Sequence, residues 1–273
     1  MNIHKYLYAV LPLSLLALTS CVASAIAQEH ELTKEEISER KEYIKENFAV
    51  ALANGNIVAS GTLSGSATDS TTSTNISINQ SSTVEASLTQ KVFHAYSNST
   101  ANVPMSYAGL STTLTSNASE EIHLFEYEDK FVLANATLMS TSLNGYPYGD
   151  ETESYTYSYV DFDFDSYVND YIFGDEGLIF GYEETLESYD DSSIIGYGKD
   201  GDLGDIRLEG EATSEAGGVS YSLDIEDCLP KSLTATVYES TYGINAEVSF
   251  DFSYPDSLSI ETPDLSSGEW VLA

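Results

Sequence analysis

The sequence predicts a mainly β (α+β) chain, one antiparallel β domain with a single helix at its N-terminal end. Three observations predict it. Residues 219–254 alternate apolar and polar side chains over three successive runs, the period of strands with one buried and one wet face. Ser and Thr are frequent, Tyr reaches 20 and Lys plus Arg only 10, a balance that favours strands over helices. Only residues 33–53 carry a clear helical spacing of apolar side chains.

The chain opens on an export signal. Lys5 supplies the positive end, and residues 7–18 are apolar apart from Pro12 and Ser14. That run falls short of the roughly 20 residues a membrane-spanning helix needs, so it reads as a leader that is removed. Two cleavage sites compete. Leu18-Thr19-Ser20-Cys21 resembles the lipobox of bacterial lipoproteins, cut before Cys21 with a lipid placed on its sulfur. Ala25-Ile26-Ala27 is an A-x-A site that frees a soluble chain starting at Gln28. The first choice divides the chain into a signal at 1–20, a tether at 21–31, a β domain at 32–263 and a C-terminal tail at 264–273.

In the helix, Thr33 followed by Glu36 makes a capping box. Ile37, Ile44, Phe48, Ala51 and Leu52 share one side, Lys and Glu take the other, and Asn54-Gly55 ends it. The apolar side is expected to pack on a sheet. Residues 56–119 hold only Asp69, Glu85 and Lys91 as charges among Ser, Thr and Asn. Short alternations at Ile76 and Ile78, then Val84, Ala86 and Leu88, predict edge-quality strands, long turns and some mobility.

Residues 120–228 carry 28 acidic and three basic side chains. Apolar runs at 122–127 and 131–138 flank Glu128-Asp129-Lys130, a hairpin signal. Residues 155–165 alternate strictly, with Tyr155, Tyr157, Tyr159, Asp161, Asp163 and Asp165 on one side. Asp165 is the expected cap of a short helix through Tyr171, closed by Gly174. Residues 194–198 and 206–210 flank Asp200-Gly201, a second hairpin. A meander follows through Val219, Tyr221, Leu223 and Ile225, then Leu233, Ala235 and Val237, then Ile244, Ala246, Val248, Phe250 and Phe252. Pro255-Asp256 turns it into Leu258 and Ile260.

The net charge of -34 repels nucleic acid and anionic headgroups, so attachment to a membrane must come from lipid chains. Cys21 and Cys228 are the only cysteines. With Cys21 lipidated or cleaved away, Cys228 has no disulfide partner and reads as a small buried residue.

The leader with a lipobox, one helix and then a long sheet ending in YSLDIEDCLPKSLTATVYES and INAEVSFDFSYPDSLSIETP resembles LolA-like and LppX-like envelope lipoproteins. It also resembles lipoproteins of uncharacterised families in Gram-positive bacteria. The resemblance implies a single curved antiparallel sheet or half-barrel packed on the N-terminal helix, with an apolar cavity for acyl chains or another hydrophobic ligand. It implies no catalytic residue, and the one residue role it carries is lipidation of Cys21.

No catalytic, cofactor or metal set is readable. Calcium-loop spacing starting at Asp161 meets Ser166 and Ile172 where Gly and Glu are needed, and starting at Asp200 it meets Asp205 at the sixth position. His94 and His123 lack a metalloprotein motif. The row Tyr155, Tyr157 and Tyr159 either faces a ligand or forms one wall of the core. Asn75, Asn79, Asn98, Asn117 and Asn135 begin N-x-S/T triplets, which mean little in a bacterial-type export context. The expectation is a monomeric, non-enzymatic envelope lipoprotein without cofactor that binds a hydrophobic or amphipathic ligand and no nucleic acid. A second reading is an acidic envelope protein that contacts a cationic partner or wall polymer. A hydrolase built on scattered carboxylates is the third.

Overall fold

The strongest alternation in the chain builds three consecutive strands, β11 at Gly217–Glu226, β12 at Leu229–Glu239 and β13 at Ile244–Ser253. The computed structural model describes residues 29–52, 54–69, 74–107, 110–161, 163–174, 178–179, 191–214, 217–240 and 243–273. Cys21, both cleavage sites and Phe162 lie outside them. Before the meander come β1 (His30–Leu32), α1 (Lys34–Ala51), β2 (Asn56–Asp69), β3 (Thr74–Ser87), β4 (Val92–Tyr107), β5 (Leu110–Tyr127) and β6 (Lys130–Leu143). They are followed by β7 (Tyr146–Pro147), β8 (Thr152–Val160), α2 (Phe164–Phe173), β9 (Asp191–Gly198) and β10 (Ile206–Thr213), and the chain ends with β14 (Val271–Leu272).

All fourteen strands join one sheet, ordered β1-β9-β10-β11-β12-β13-β2-β3-β4-β5-β6-β8-β14, with β7 also paired to β6. The two halves meet where β13 pairs antiparallel with β2. Gly61 of β2 stands opposite Phe250 there, and a Cβ on Gly61 would lie 2.4 Å from that ring. The missing side chain is what lets the ring lie flat on the sheet.

Both helices of the described residues sit on one face. Ile37 and Arg40 of α1 press on Gly196 and Gly198 of β9. Phe93 of β4 meets Tyr167 and Tyr171 of α2 edge-on, and Phe131 of β6 stacks on Phe164. The helices touch each other through Phe48 and Phe173, 4.8 Å between ring centres. A flat sheet would hold β9 and β6 about 43 Å apart at ~4.8 Å per strand, so this inner face curls over the helix pair. One apolar core joins Ile44, Phe48, Phe93, Leu124, Ile172, Leu208, Leu223 and Leu233.

The expected layout, one sheet laid on an N-terminal helix, is overturned by these elements. Helix α1 buries only Arg40, Ile44 and Phe48, too narrow a stripe to cover so wide a sheet. Strands supply most of the core, and α2 shares it on the same footing. Residues 56–119, expected as edge-quality strands and turns, instead give β2, β3, β4 and most of β5, strands of 14, 14, 16 and 18 residues in the middle of the order. His30 and Glu31, assigned to a tether, pair with β9 at the sheet's edge. Leu258 and Ile260 form no strand.

Candidate functional site

Side chains alternate between the two faces of a strand, and directly paired residues on neighbouring strands share a face. Ala86, Phe93 and Leu124 are buried against the helices. Their sequence neighbours Glu85, His94 and His123 therefore stand on the outer face. Register sets these three side by side, Glu85 opposite His94 and His94 opposite His123.

The two imidazoles stack, ring centres 4.4 Å apart and 13° from parallel. His94 Nδ1 lies 3.3 Å from Glu85 Oε2, and His123 Nε2 lies 3.3 Å from Glu121 Oε2. The other nitrogen of each ring, His94 Nε2 and His123 Nδ1, is buried without a hydrogen-bond partner. His123 is only 7% exposed. Burial, then the neighbouring His94, pushes its pKa below the usual imidazole value, against the pull of Glu121. One donor atom each from His94, Glu121 and His123 falls within 4.8 Å of the others. The sequence separates these residues by 29 positions, so only the β4–β5 register could reveal the cluster.

The C-terminal segment closes the outer face beside this row. Leu265 and Trp270 pack with Phe125, Val132, Ala134 and Tyr157, and β14 runs parallel to β8. The tyrosine row stands on this outer face. Tyr155 meets Trp270 edge-on at 5.4 Å, Tyr157 joins the small core, and Tyr159 is exposed beneath the Lys130 ammonium. Residues 264–273, set apart as a tail by the sequence, are thus packed on the domain.

Other sequence candidates resolve into structural roles. Asp163, not Asp165, caps α2, its carboxylate accepting from Ser166 N and held below the usual carboxylate pKa by that bond. Asp165 pairs with Lys91. In the loop after β9, the carbonyls of Lys199, Asp202 and Asp205 turn inward and accept from the buried Arg40 guanidinium. The loop that imitates a calcium site encloses the protein's own cation. Cys228 is buried under Gly204, its thiol pKa raised by burial and then by Asp227, Asp202 and Asp205.

Beyond the helices, the inner face continues along the far halves of β2 to β6. Cross-strand register places Leu63, Ile76, Ile78, Ala101, Val103, Met105, Leu114, Ala118, Met139 and Leu143 on it. Between them stand Gly, Ser, Thr, Gln and Asn, and one charged side chain, Glu120, opposite Ser97 and Thr137, while Gly61–Ala67, Ile76–Ser82, Ser97–Met105, Thr112–Ala118 and Asn135–Leu143 carry none. Ile78, Met105, Leu110 and Met139 are exposed. A smaller cleft of about 230 Å³ lies between the helices, lined by Lys45, Phe48, Leu88, Asp165 and Val168.

No family model and no curated protein matches this chain. Among solved structures it is similar to the Neisserial surface protein A, at 11% identity and a TM-score of 0.20, over 72% of this chain and 95% of that one. It is also similar to the translocator domain of the autotransporter NalP from Neisseria meningitidis, at 10% identity and a TM-score of 0.25, over 79% and 96%. At TM-scores this low neither likeness carries anything over to this chain.

Proposed function

We propose that this is a non-enzymatic binding protein of the cell envelope that holds a hydrophobic or amphipathic ligand on the far half of its inner face. One observation carries the reading. A chain of net charge -34 leaves a five-stranded expanse of its inner face with one charged side chain, Glu120, between Gly61–Ala67 of β2 and Asn135–Leu143 of β6, and exposes Ile78, Met105, Leu110 and Met139 on it. An exposed apolar patch on a soluble surface marks a place where something apolar binds. Methionine suits such a place, because its unbranched, polarisable side chain adapts to acyl chains of varied shape.

The export signal supplies the address. Lipidation of Cys21 would hold the domain at the membrane, and cleavage after Ala27 would release the same domain. The acidic surface offers no other route to an anionic bilayer.

Native and intact mass spectrometry of the protein purified from its own host tests both parts. The expected result is a copurified lipid or fatty acid and a diacylglycerol mass on residue 21. Met105→Glu with Met139→Glu is expected to weaken binding of a fluorescent fatty acid by at least about tenfold, since a carboxylate facing the ligand must be desolvated. A ligand-free protein that ignores the fatty acid, or a double variant that binds it unchanged, overturns the reading.

A further inference from the structure

We propose that His94, His123 and Glu121 form a site for one divalent transition-metal ion of the zinc class, on the outer face of the sheet. The site lies on the opposite face from the proposed ligand surface and does not depend on it.

The backbone builds the site. His94 and His123 are directly paired across β4 and β5, so their spacing is set by the ladder rather than by side-chain choice. Glu121 follows on the same face, two residues before His123. Its Oε2 and His123 Nε2 are 3.3 Å apart, a long hydrogen bond. That separation equals the edge of a tetrahedron of zinc ligands, about 3.4 Å for bonds of ~2.0–2.1 Å. The third corner falls to His94. Its Nδ1 is engaged by Glu85, which leaves Nε2, and that atom is buried without a partner.

A buried polar nitrogen without a partner destabilises the fold, and an ion bound there removes that cost. One donor atom from each of the three residues lies within 4.8 Å of the others, so side-chain rotation brings the set onto one centre. Glu85 then plays the part that a carboxylate plays behind a ligating imidazole, fixing its tautomer and orientation. Two imidazoles in a set of three exclude calcium and magnesium, which take oxygen ligands. Three protein ligands leave the fourth position for water.

The test uses the mature protein, stripped of metal and held in about 0.5 M NaCl, so that loose cation binding to its many carboxylates is screened. Zinc titration is expected to give one ion per chain with a dissociation constant on the order of micromolar or tighter. Cobalt(II) is expected to give the intense visible bands of a four-coordinate site. His94→Ala and His123→Ala should each weaken zinc by about 100-fold, and Glu85→Gln by about tenfold, while millimolar calcium should not compete. Zinc binding that survives both histidine changes, or no stoichiometric binding in high salt, overturns the proposal. Should His123→Ala fail to fold, the half-buried His94 variant and the cobalt spectrum of the unchanged protein still decide.

Discussion

Arg40 shows how a single residue can escape sequence reading. It sits on α1 among Lys and Glu, and nothing in its spacing separates it from its solvated neighbours. In the folded protein it is 4% exposed and serves three carbonyls of the loop after β9, two of them at 2.6 and 2.7 Å. Hydropathy cannot register this, because the favourable partner is backbone from 159 residues away. Tyr254 offers a quantitative test at the same scale. Its hydroxyl donates to the Pro230 carbonyl, and burial holds its pKa well above the usual tyrosine value. The contribution is complete below the unfolded pKa of about 10 and is lost as pH rises, because the unfolded chain releases its proton first. Stability from urea denaturation should therefore fall above about pH 10, by up to roughly 1.4 kcal/mol per pH unit for this group. Tyr254→Phe should lower stability by about 1 kcal/mol at neutral pH and flatten that fall. An equally steep fall in the variant would assign it to the other tyrosines raised by burial inside the fold, Tyr167 and Tyr171, or to Tyr155 and Tyr159 on the outer face.

Elements were legible where local chemistry and burial agree. The Thr33–Glu36 capping box forms with both of its hydrogen bonds. The hairpin at 128–130 is a two-residue turn, Glu128-Asp129, with both φ angles positive at 52° and 61°. Asn144-Gly145 makes the same kind of turn at 51° and 80° and went unread, although Asn-Gly is the strongest hairpin signal. Helix α2 starts one turn of the alternation earlier than Asp165 suggests, because Phe164 must enter the core and three alternating aspartates leave the cap ambiguous. Left-handed backbone costs a non-glycine residue about 1–2 kcal/mol. Replacing Glu128-Asp129 by Asn-Gly should accordingly raise stability by about 1 kcal/mol, read as a higher denaturation midpoint at unchanged slope. A lower midpoint would mean that the present side chains hold the turn through contacts that outweigh the backbone cost.

At the scale of the whole molecule, charge and topology work against each other. The sheet gathers β10 and β11, which carry Glu209, Glu211, Asp224 and Glu226, and a nearly uncharged block of β2 to β4 into one body, and the net charge of -34 repels itself across it. Raising NaCl from about 20 to about 300 mM shortens the screening length from ~20 Å to ~6 Å and should raise the thermal midpoint by several degrees. A midpoint that does not move would show that the acidic side chains are already neutralised by bound cations. Sequence alone carries the strands between residues 217 and 253, the N-terminal helix and its cap, because alternation, helical spacing and capping are local properties. The strands from 56 to 119 were unreadable for a matching reason. Small polar residues stand on both of their faces, so burial leaves no contrast in hydropathy. Only tertiary structure decides that β13 lies beside β2, that Trp270 folds back on Tyr155, and that His94 meets His123. Each of these pairings joins residues far apart in sequence, and the register that selects them is fixed by the packing of the assembled sheet rather than by any neighbour along the chain.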